Sequence, residues 1–295
     1  MVGIGVASVK AAGDFQQSMS LLVTSAGESQ KNIKMVSDGI LKMSVDTGTS
    51  TKQLGAGMYY IESAGFHAAD ALKVLGVAAM GAKTENADLA TVARAVTGVM
   101  TDYHMKAGDA AQAMNGLIAT VQNGKTNLHD LSASMGNVLP IASALGISFP
   151  QVAGAMDTMT NANMTARQAS QNLAHVLLAL SAPSGIAVKS MKSVGLSAQG
   201  VKDALDNQGL PQALQMIEDH VGKKFPASSV EYETALKNIL GGQVGFKLAA
   251  MLTGKSLQET EANIAKVTAA MKDNSGAVMG WDVVQGNLNF QLDRA

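Results

Sequence analysis

The feature that most constrains this chain is the repeated interruption of short helical stripes by glycine. Apolar residues recur at steps of three or four, which places them on one face of an α-helix. Glycine occurs 30 times in 295 residues and commonly stands where such a stripe stops. Four clear stripes are Ile33, Val36, Ile40 and Met43; Leu54, Met58 and Ile61; Leu89, Val92, Val96 and Val99; and Leu214, Ile217 and Val221.

These stripes predict the fold class. No long run of β-branched residues alternates with polar ones, as a half-buried strand would require. The sequence therefore predicts an all-α fold, a compact multi-helix domain of about a dozen short helices joined by short turns.

Capping signals mark where the helices begin. A Ser or Thr followed three residues later by Gln or Glu predicts a capping box, in which each side chain bonds the backbone N–H of the other residue. Pro211 suits the first turn of a helix, because its missing N–H has no helical partner there. The capping-box pattern occurs at Ser50, Thr165, Ser228 and Ser256.

Other residues mark where helices end. Pro140 and Pro183 are expected to end or kink the helices that contain them. Glycine is favoured just past a helix C-terminus, where the backbone becomes left-handed. Five glycines occupy such positions: Gly65, Gly124, Gly146, Gly209 and Gly254.

Composition excludes several classes of function. Hydrophobic residues make up 47% and charged residues 15%, which is unlike a disordered tail. The net charge of −1 gives no electrostatic footprint for nucleic acid, so we expect no specific nucleic-acid binding. The chain has no cysteine and therefore no disulfide or thiolate metal site. The most apolar stretch, residues 173–188, is interrupted by His175, Pro183 and Gly185, which favours a buried helix over a membrane span.

A weak internal repeat is visible at a shift of 81 residues. The shift aligns Gly65 with Gly146 and Thr84 with Thr165. It also places the stripe Val92, Val96 and Val99 over Leu173, Leu177 and Leu180. Either a helical-hairpin duplication or chance similarity between Ala/Gly-rich segments would produce this pattern.

No catalytic constellation stands out. The chain has five histidines, and the closest pairings with an acid are His67 with Asp70 and His129 with Asp130. Neither has a nucleophile elbow nearby, so both pairs are interpreted as structural. We predict no catalytic, cofactor-binding or metal-binding residues, no cofactor, and no enzyme activity.

Two further features have plain structural interpretations. The glycine-rich segment 241–245 lacks the preceding strand and the Lys-Ser/Thr of a phosphate-binding loop, which favours a tight turn between helices. The 18 methionines are spread along the chain at helical spacing, which favours core filling over a dedicated binding groove.

Several segments, read in order, resemble the core region of phage tail tape-measure proteins. Residues 12–19 resemble its Ala-rich start with a Phe, and residues 54–71 resemble its helix that ends in Ala-Gly before a new helix. Residues 131–153 look like a second occurrence of that pattern. Residues 166–184 resemble the family's Ala/Leu helix closed by Pro-Ser, with Val194-Gly195-Leu196 as the following turn. The most specific segment is 239–252, where Leu240-Gly241 stands in place of the family's Phe-Gly.

The resemblance covers about residues 8–275 and implies a structural, non-enzymatic module acting in tail assembly, tail-length determination and genome ejection. It implies a location in the virion tail, and in the host cytoplasm during assembly. The implied partners are tail tube, tail-tip or baseplate proteins, tail assembly chaperones and further copies of the chain, with host-envelope contact through the parent protein. A helical protein-binding or signalling adaptor is the alternative; a wall-degrading enzyme would need a paired-carboxylate or metal constellation.

The resemblance also suggests a division of the chain. Residues 1–49 are expected to be N-terminal helices that lead from an upstream ruler region, and residues 50–275 the helical tape-measure core. Residues 276–295 are expected to be the start of a following, truncated helix.

Overall fold

The computed structural model describes residues 2–273, 275–287 and 291. The all-α prediction is confirmed: 78% of the chain is helical, and no strand occurs in the described residues. The described chain forms 17 α-helices rather than about a dozen, because several segments break into short pieces. In chain order they are α1 Val2–Ser25, α2 Ile33–Thr47, α3 Thr51–Ser63, α4 Ala68–Thr84, α5 Leu89–Asp102, α6 Ala110–Asn123, α7 Leu128–Met135, α8 Leu139–Ala144, α9 Phe149–Asn161, α10 Ala166–Ser181, α11 Gly185–Ser193, α12 Ala198–Gln208, α13 Leu210–Lys224, α14 Val230–Leu240, α15 Gln243–Leu252, α16 Leu257–Met271 and α17 Trp281–Gln285.

The helices form two compact units, one of residues 1–118 with 271–295 and the other of residues 119–270. In the first unit, α3 packs against α1, α4 and α5, and α4 packs against α2. The predicted stripes on α3 and α5 are fully buried at Leu54, Met58, Ile61, Val92 and Val96. The core of this unit is therefore built from the residues that the periodicity singled out.

The second unit is organised around α10, which contacts α7, α9, α14 and α15. Leu173, Val176, Leu177 and Leu180 of α10 are buried there. Within the described residues no single helix is both long and apolar enough to span a membrane. Helices α10 and α11 meet these length and hydropathy criteria only when taken together, and the chain bends by 76° between them. The break contains Pro183, as predicted.

Methionine fills both cores. This confirms the core-filling interpretation for the methionines whose side chains are buried: Met19, Met58, Met100, Met114, Met135, Met156, Met159 and Met191.

Most of the predicted helix boundaries are confirmed. Capping boxes form at Ser50 with Gln53 and at Thr165 with Gln168. Pro211 lies in the first turn of α13, as predicted. The prediction that Pro140 ends or kinks a helix is wrong, because Pro140 lies in the first turn of α8, where its missing N–H has no helical partner. The box predicted at Ser228 is wrong by one residue, since the hydroxyl of Ser229 accepts the hydrogen bond that caps α14.

One four-residue turn joins consecutive helices at six places in the described chain. A left-handed residue follows the helix cap and donates its N–H to the carbonyl three residues back. The next N–H donates to the carbonyl five residues back, at 2.7–3.3 Å, which is the Schellman motif. The N-cap of the following helical segment comes directly after it. At His104 this segment is a short 3-10 helix, Ala107–Asp109, which precedes α6. The left-handed residues are Gly65, Asn86, His104, Gly146, Asn163 and Gly195.

The predicted left-handed glycines are confirmed only in part. Gly65, Gly146, Gly209 and Gly254 have positive φ. The prediction is wrong for Gly124, because its φ lies outside that range. A Cβ on Gly124 would lie 2.6 Å from Oγ1 of Thr160, so the glycine permits a close approach instead.

Substitutions at the left-handed residues of the Schellman turns test whether a side chain strains the backbone there. His104→Gly is expected to raise the free energy of unfolding by about 0.5–1 kcal/mol, because glycine adopts φ of +55° without a Cβ clash. Gly195→Ala, the matched opposite change at an equivalent position, is expected to lower it by about 1 kcal/mol. Urea denaturation measures both, and shifts of the same sign would contradict the assignment of strain to these positions.

The internal duplication stays a prediction. Helices α4 and α9 begin 81 residues apart, each after a Schellman turn at Gly65 or Gly146. The helix that precedes them is continuous in the first copy, as α3, and divided into α7 and α8 in the second. The predicted divisions at residues 50 and 276 also stay predictions. Residues 288–290 and 292–295 of the predicted final helix lie outside the described residues.

Candidate functional site

The most unusual polar cluster of the first unit joins Glu28, Glu62 and His67. Glu28 follows α1, Glu62 lies in the last turn of α3, and His67 immediately precedes α4. One ligand-type atom from each side chain lies within 4.8 Å of the other two. The side chains of Glu28 and Glu62 belong to residues only 3% and 1% exposed, whereas His67 is exposed. The cluster is thus a buried acidic pair with an imidazole at its surface.

Glu28 is held firmly by hydrogen bonds. Its Oε1 accepts from the backbone N–H of Ser29 at 2.6 Å and from Nδ2 of Asn32 at 2.9 Å. Its Oε2 accepts from the backbone N–H of Ala68 at 2.7 Å, at the open N-terminus of α4. Burial opposes ionisation of this carboxyl, but the hydrogen bonds from Asn32, Ala68 and Ser29 together lower its pKa below the ordinary value. Glu28 is therefore a fixed carboxylate.

Glu62 has the opposite environment. Both of its carboxyl oxygens are buried and lack a hydrogen-bond donor. Burial raises the pKa of Glu62 to about 8, and the negative charge of Glu28 adds to the effect. At neutral pH Glu62 is consequently a protonated acid beside an ionised one, and the pair can share that proton.

The backbone next to the cluster is strained. Ala68 has φ of +56°, a left-handed conformation that a residue with a Cβ rarely adopts. Its N–H is the one that Glu28 accepts. On the other side, Gly27 has φ of +89°, and a Cβ there would lie 3.4 Å from Cε1 of His67. The residues next to Glu28 and His67 in the chain, Gly27 and Ala68, thus both have positive φ.

Asp70 is the nearest acid to His67 in the sequence, and that pair was interpreted as structural. Asp70 forms an exposed ion pair with Lys73 at 3.4 Å, while the fold brings His67 to Glu28 and Glu62. Sequence reasoning missed both glutamates. A usable signal was present, because Glu62 follows Met58 by four residues and so falls on the edge of the buried stripe of α3.

The second predicted pairing is also not formed as an acid–imidazole pair. Asp130 accepts a hydrogen bond from Nδ2 of Asn127 at 2.8 Å in the first turn of α7. This turn borders a cavity of about 560 Å³ in the second unit, which is lined by a single carboxylate, Asp130, together with His129, Lys125 and Arg167. A glycoside-cleaving pair needs two carboxylates reachable by a sugar. This cavity supplies one, and the Glu28–Glu62 pair is buried.

The segment 241–245 is a tight helix–helix turn, as interpreted from the sequence. Gly241 ends α14 with φ of +83°, and Gly242 begins α15 with φ of +94° and ψ of −157°. The carbonyl oxygen of Gly241 lies 2.7 Å from Nε2 of His175. A Cβ on Gly245 would overlap the carbonyl oxygen of Leu240. Three of the glycines are therefore required by backbone geometry.

A second buried acid lies in the other unit. Asp157 of α9 is fully buried, and both carboxyl oxygens lack a hydrogen-bond donor. Burial raises its pKa to about 8, and the positive charge of Lys266 only partly opposes this effect. Asp157 is therefore a destabilising feature of the core at neutral pH.

Comparison with known proteins finds one matching protein family and two similar phage proteins. A family described as phage-related minor tail protein matches residues 37–241. The chain is similar to the tape measure protein of Pneumococcus phage Dp-1, with 23% identity over 197 residues, covering 67% of this chain and 17% of that protein. It is also similar to a probable tape measure protein of Clostridium phage phiCD119, with 28% identity over 160 residues, covering 51% of this chain and 16% of that protein.

The chain therefore spans about one sixth of the length of these two relatives. No solved structure matches it significantly.

Proposed function

Because this chain belongs to the phage-related minor tail protein family, the family of phage tail tape-measure proteins, we propose that it is a folded, non-enzymatic module of such a protein. A structural role in the phage tail follows from the family itself. The finer proposal is that the module acts in tail assembly, within a parent protein that sets tail length and takes part in genome ejection. The observation that carries it is the family match over residues 37–241.

The lengths of the helices support a module rather than a ruler. A straight helix advances ~1.5 Å per residue, so a ruler gains length steadily along its sequence. Helix α1, with 24 residues, is the longest in the described chain and spans ~36 Å. The other described helices have 17 residues or fewer and are separated by turns. Such a chain folds back on itself and contributes little length per residue.

Apolar side chains on the first unit support contacts with partners. Leu21, Met35 and Leu41 are 42–47% exposed on α1 and α2. Association that removes exposed apolar surface from water is favourable. Exposed apolar side chains of this size therefore favour contacts within a larger assembly. The proposed partners are tail tube, tail-tip or baseplate proteins, assembly chaperones and further copies of the chain. Contact with the host envelope would come through the parent protein.

Electron microscopy of particles from a phage that lacks the parent gene tests the proposal. We expect heads without tails, or tubes of uncontrolled length, because tube subunits would lack their template. Complementation from a plasmid should restore uniform tails and serves as the control. Normal tails of normal length in the deletion strain would contradict the proposal.

A further inference from the structure

The Glu28–Glu62–His67 cluster has the composition of a small metal centre. We propose that these three side chains bind one divalent transition-metal cation, for which Zn²⁺ is the best fit, and that this cation stabilises the first unit. The inference is independent of the tail assignment, since it depends only on the contacts within this unit.

The donor set matches the chemistry of zinc. Zn²⁺ accepts imidazole nitrogen and carboxylate oxygen, and it commonly keeps three protein ligands with water in the fourth position. Calcium and magnesium prefer oxygen donors alone, so an imidazole ligand favours a transition metal. Glu28 and Glu62 supply the two oxygens, and His67 supplies the nitrogen from the exposed side, where a water ligand has room.

The unpartnered carboxyl of Glu62 is the observation that points to a ligand. Glu62 is 1% exposed, and neither of its oxygens has a hydrogen-bond donor in the protein. Its ligand-type oxygen nevertheless faces Glu28 and His67 within 4.8 Å. A buried carboxyl that accepts no hydrogen bond is costly, and a cation bound by both acids would take the place of the proton that Glu62 otherwise shares with Glu28.

The three ligand atoms would have to move only slightly closer together to coordinate one cation. Tetrahedral coordination with bonds of about 2.0–2.1 Å places ligand atoms ~3.3 Å apart. The three atoms here lie within 4.8 Å. Glu28 is fixed by three hydrogen bonds, so the adjustment falls on His67, whose side chain is exposed. Gly27 leaves space beside the imidazole ring.

The cation would connect the loop after α1 to the junction between α3 and α4, which follows it by 34–39 residues in the sequence. Glu28 belongs to the loop after α1, Glu62 to the end of α3, and His67 to the turn that begins α4. A ligand that binds the folded state alone raises its stability in proportion to the logarithm of ligand concentration over Kd. The site is therefore expected to be structural.

Thermal unfolding of the full 295-residue chain, first stripped with EDTA, tests this proposal. Added Zn²⁺ at about a hundredfold excess over Kd is expected to raise Tm by ~5 °C or more. Isothermal titration calorimetry is expected to give one tight site per chain.

Glu62→Gln should abolish both effects while the chain still folds, because the carboxamide keeps the shape of the side chain and cannot ionise. His67→Ala should weaken binding at least tenfold. It changes an exposed side chain, so it tests the site even if the first variant fails to fold. His104→Asn, which removes another exposed histidine of the same unit and keeps a residue that tolerates φ of +55°, is the matched control and should bind as the unsubstituted chain does.

Two results would overturn the proposal. If Zn²⁺ leaves Tm unchanged and gives no binding heat, the two acids are held by a shared proton alone. If binding survives Glu62→Gln and His67→Ala, or is lost with His104→Asn, the metal binds elsewhere.

Discussion

Gly245→Ala is expected to lower the free energy of unfolding by about 3 kcal/mol or more, one of the two largest effects that the structure predicts. The added methyl group would overlap the backbone carbonyl of Leu240, at the end of α14. Gly241 and Gly242 between the two helices have φ of +83° and +94°. The turn therefore cannot open without moving α15 away from α14, with which it packs.

Gly222→Ala is the matched control in the same unit. Gly222 also lies inside a helix, α13, but a Cβ there would meet only the ring of Tyr232, at an ordinary contact distance of 3.8 Å. Alanine is the better helix former, so this change is expected to raise stability by about 0.5–1 kcal/mol. Urea denaturation of both variants gives the comparison, and equal losses would show that Gly245 has no special steric role.

Asp157→Asn is expected to stabilise the chain above about pH 4 and to remove much of its pH dependence between pH 4 and 8. Burial raises the pKa of Asp157 in the folded state to about 8, from 3.8. Between these values the unfolded chain has lost a proton that the folded chain retains, so the stability of the unsubstituted protein falls as pH rises. Above pH 8 both states are ionised and the difference stays constant.

The gain from Asp157→Asn is expected to be on the order of 2–4 kcal/mol at pH 8. Unfolding of both proteins by urea at several pH values between 3 and 9 measures it. Below about pH 4 the carboxyl is neutral in both states, so that range is an internal control. A stability difference that does not grow between pH 4 and 8 would contradict the assignment of a buried, unpartnered acid.

The helical framework was predictable because its causes are local. Periodicity identified the buried stripes, and short-range capping chemistry identified the starts at Ser50 and Thr165. At α14 two adjacent serines could serve as the N-cap, and in the structure the N-cap is Ser229 rather than Ser228. Local rules thus located several helix starts to within one residue, but they did not predict all the breaks that give 17 helices in the described chain.

Three of the six Schellman turns have no glycine and are therefore not predicted from glycine positions. Asn86, His104 and Asn163 adopt the left-handed conformation at these turns, where glycine was the residue sought. Asparagine and histidine adopt it at moderate cost, so composition alone does not mark the turn. An apolar residue followed by a favoured N-cap residue marks two of these turns, at Ala87-Asp88 and Met164-Thr165.

The acidic cluster depends on tertiary structure. Glu28 and Glu62 are 34 residues apart, and nothing in local spacing indicates that the loop after α1 meets the end of α3. Local spacing indicates only Asp70 as a partner for His67, because the two residues are three positions apart at the start of one helix. In the structure Asp70 forms an ion pair with Lys73, and His67 lies beside Glu28 and Glu62.

The central claim is that residues 37–241 act as a folded module and not as part of the ruler. Electron microscopy of a phage whose tape-measure gene lacks these codons tests it most directly, with a deletion of equal length elsewhere in the gene as control. The claim predicts failed tail assembly, with no population of uniformly shortened tails. Uniform tails shorter by ~300 Å, the length of about 200 residues as continuous helix, would contradict it, because the segment would then measure length itself.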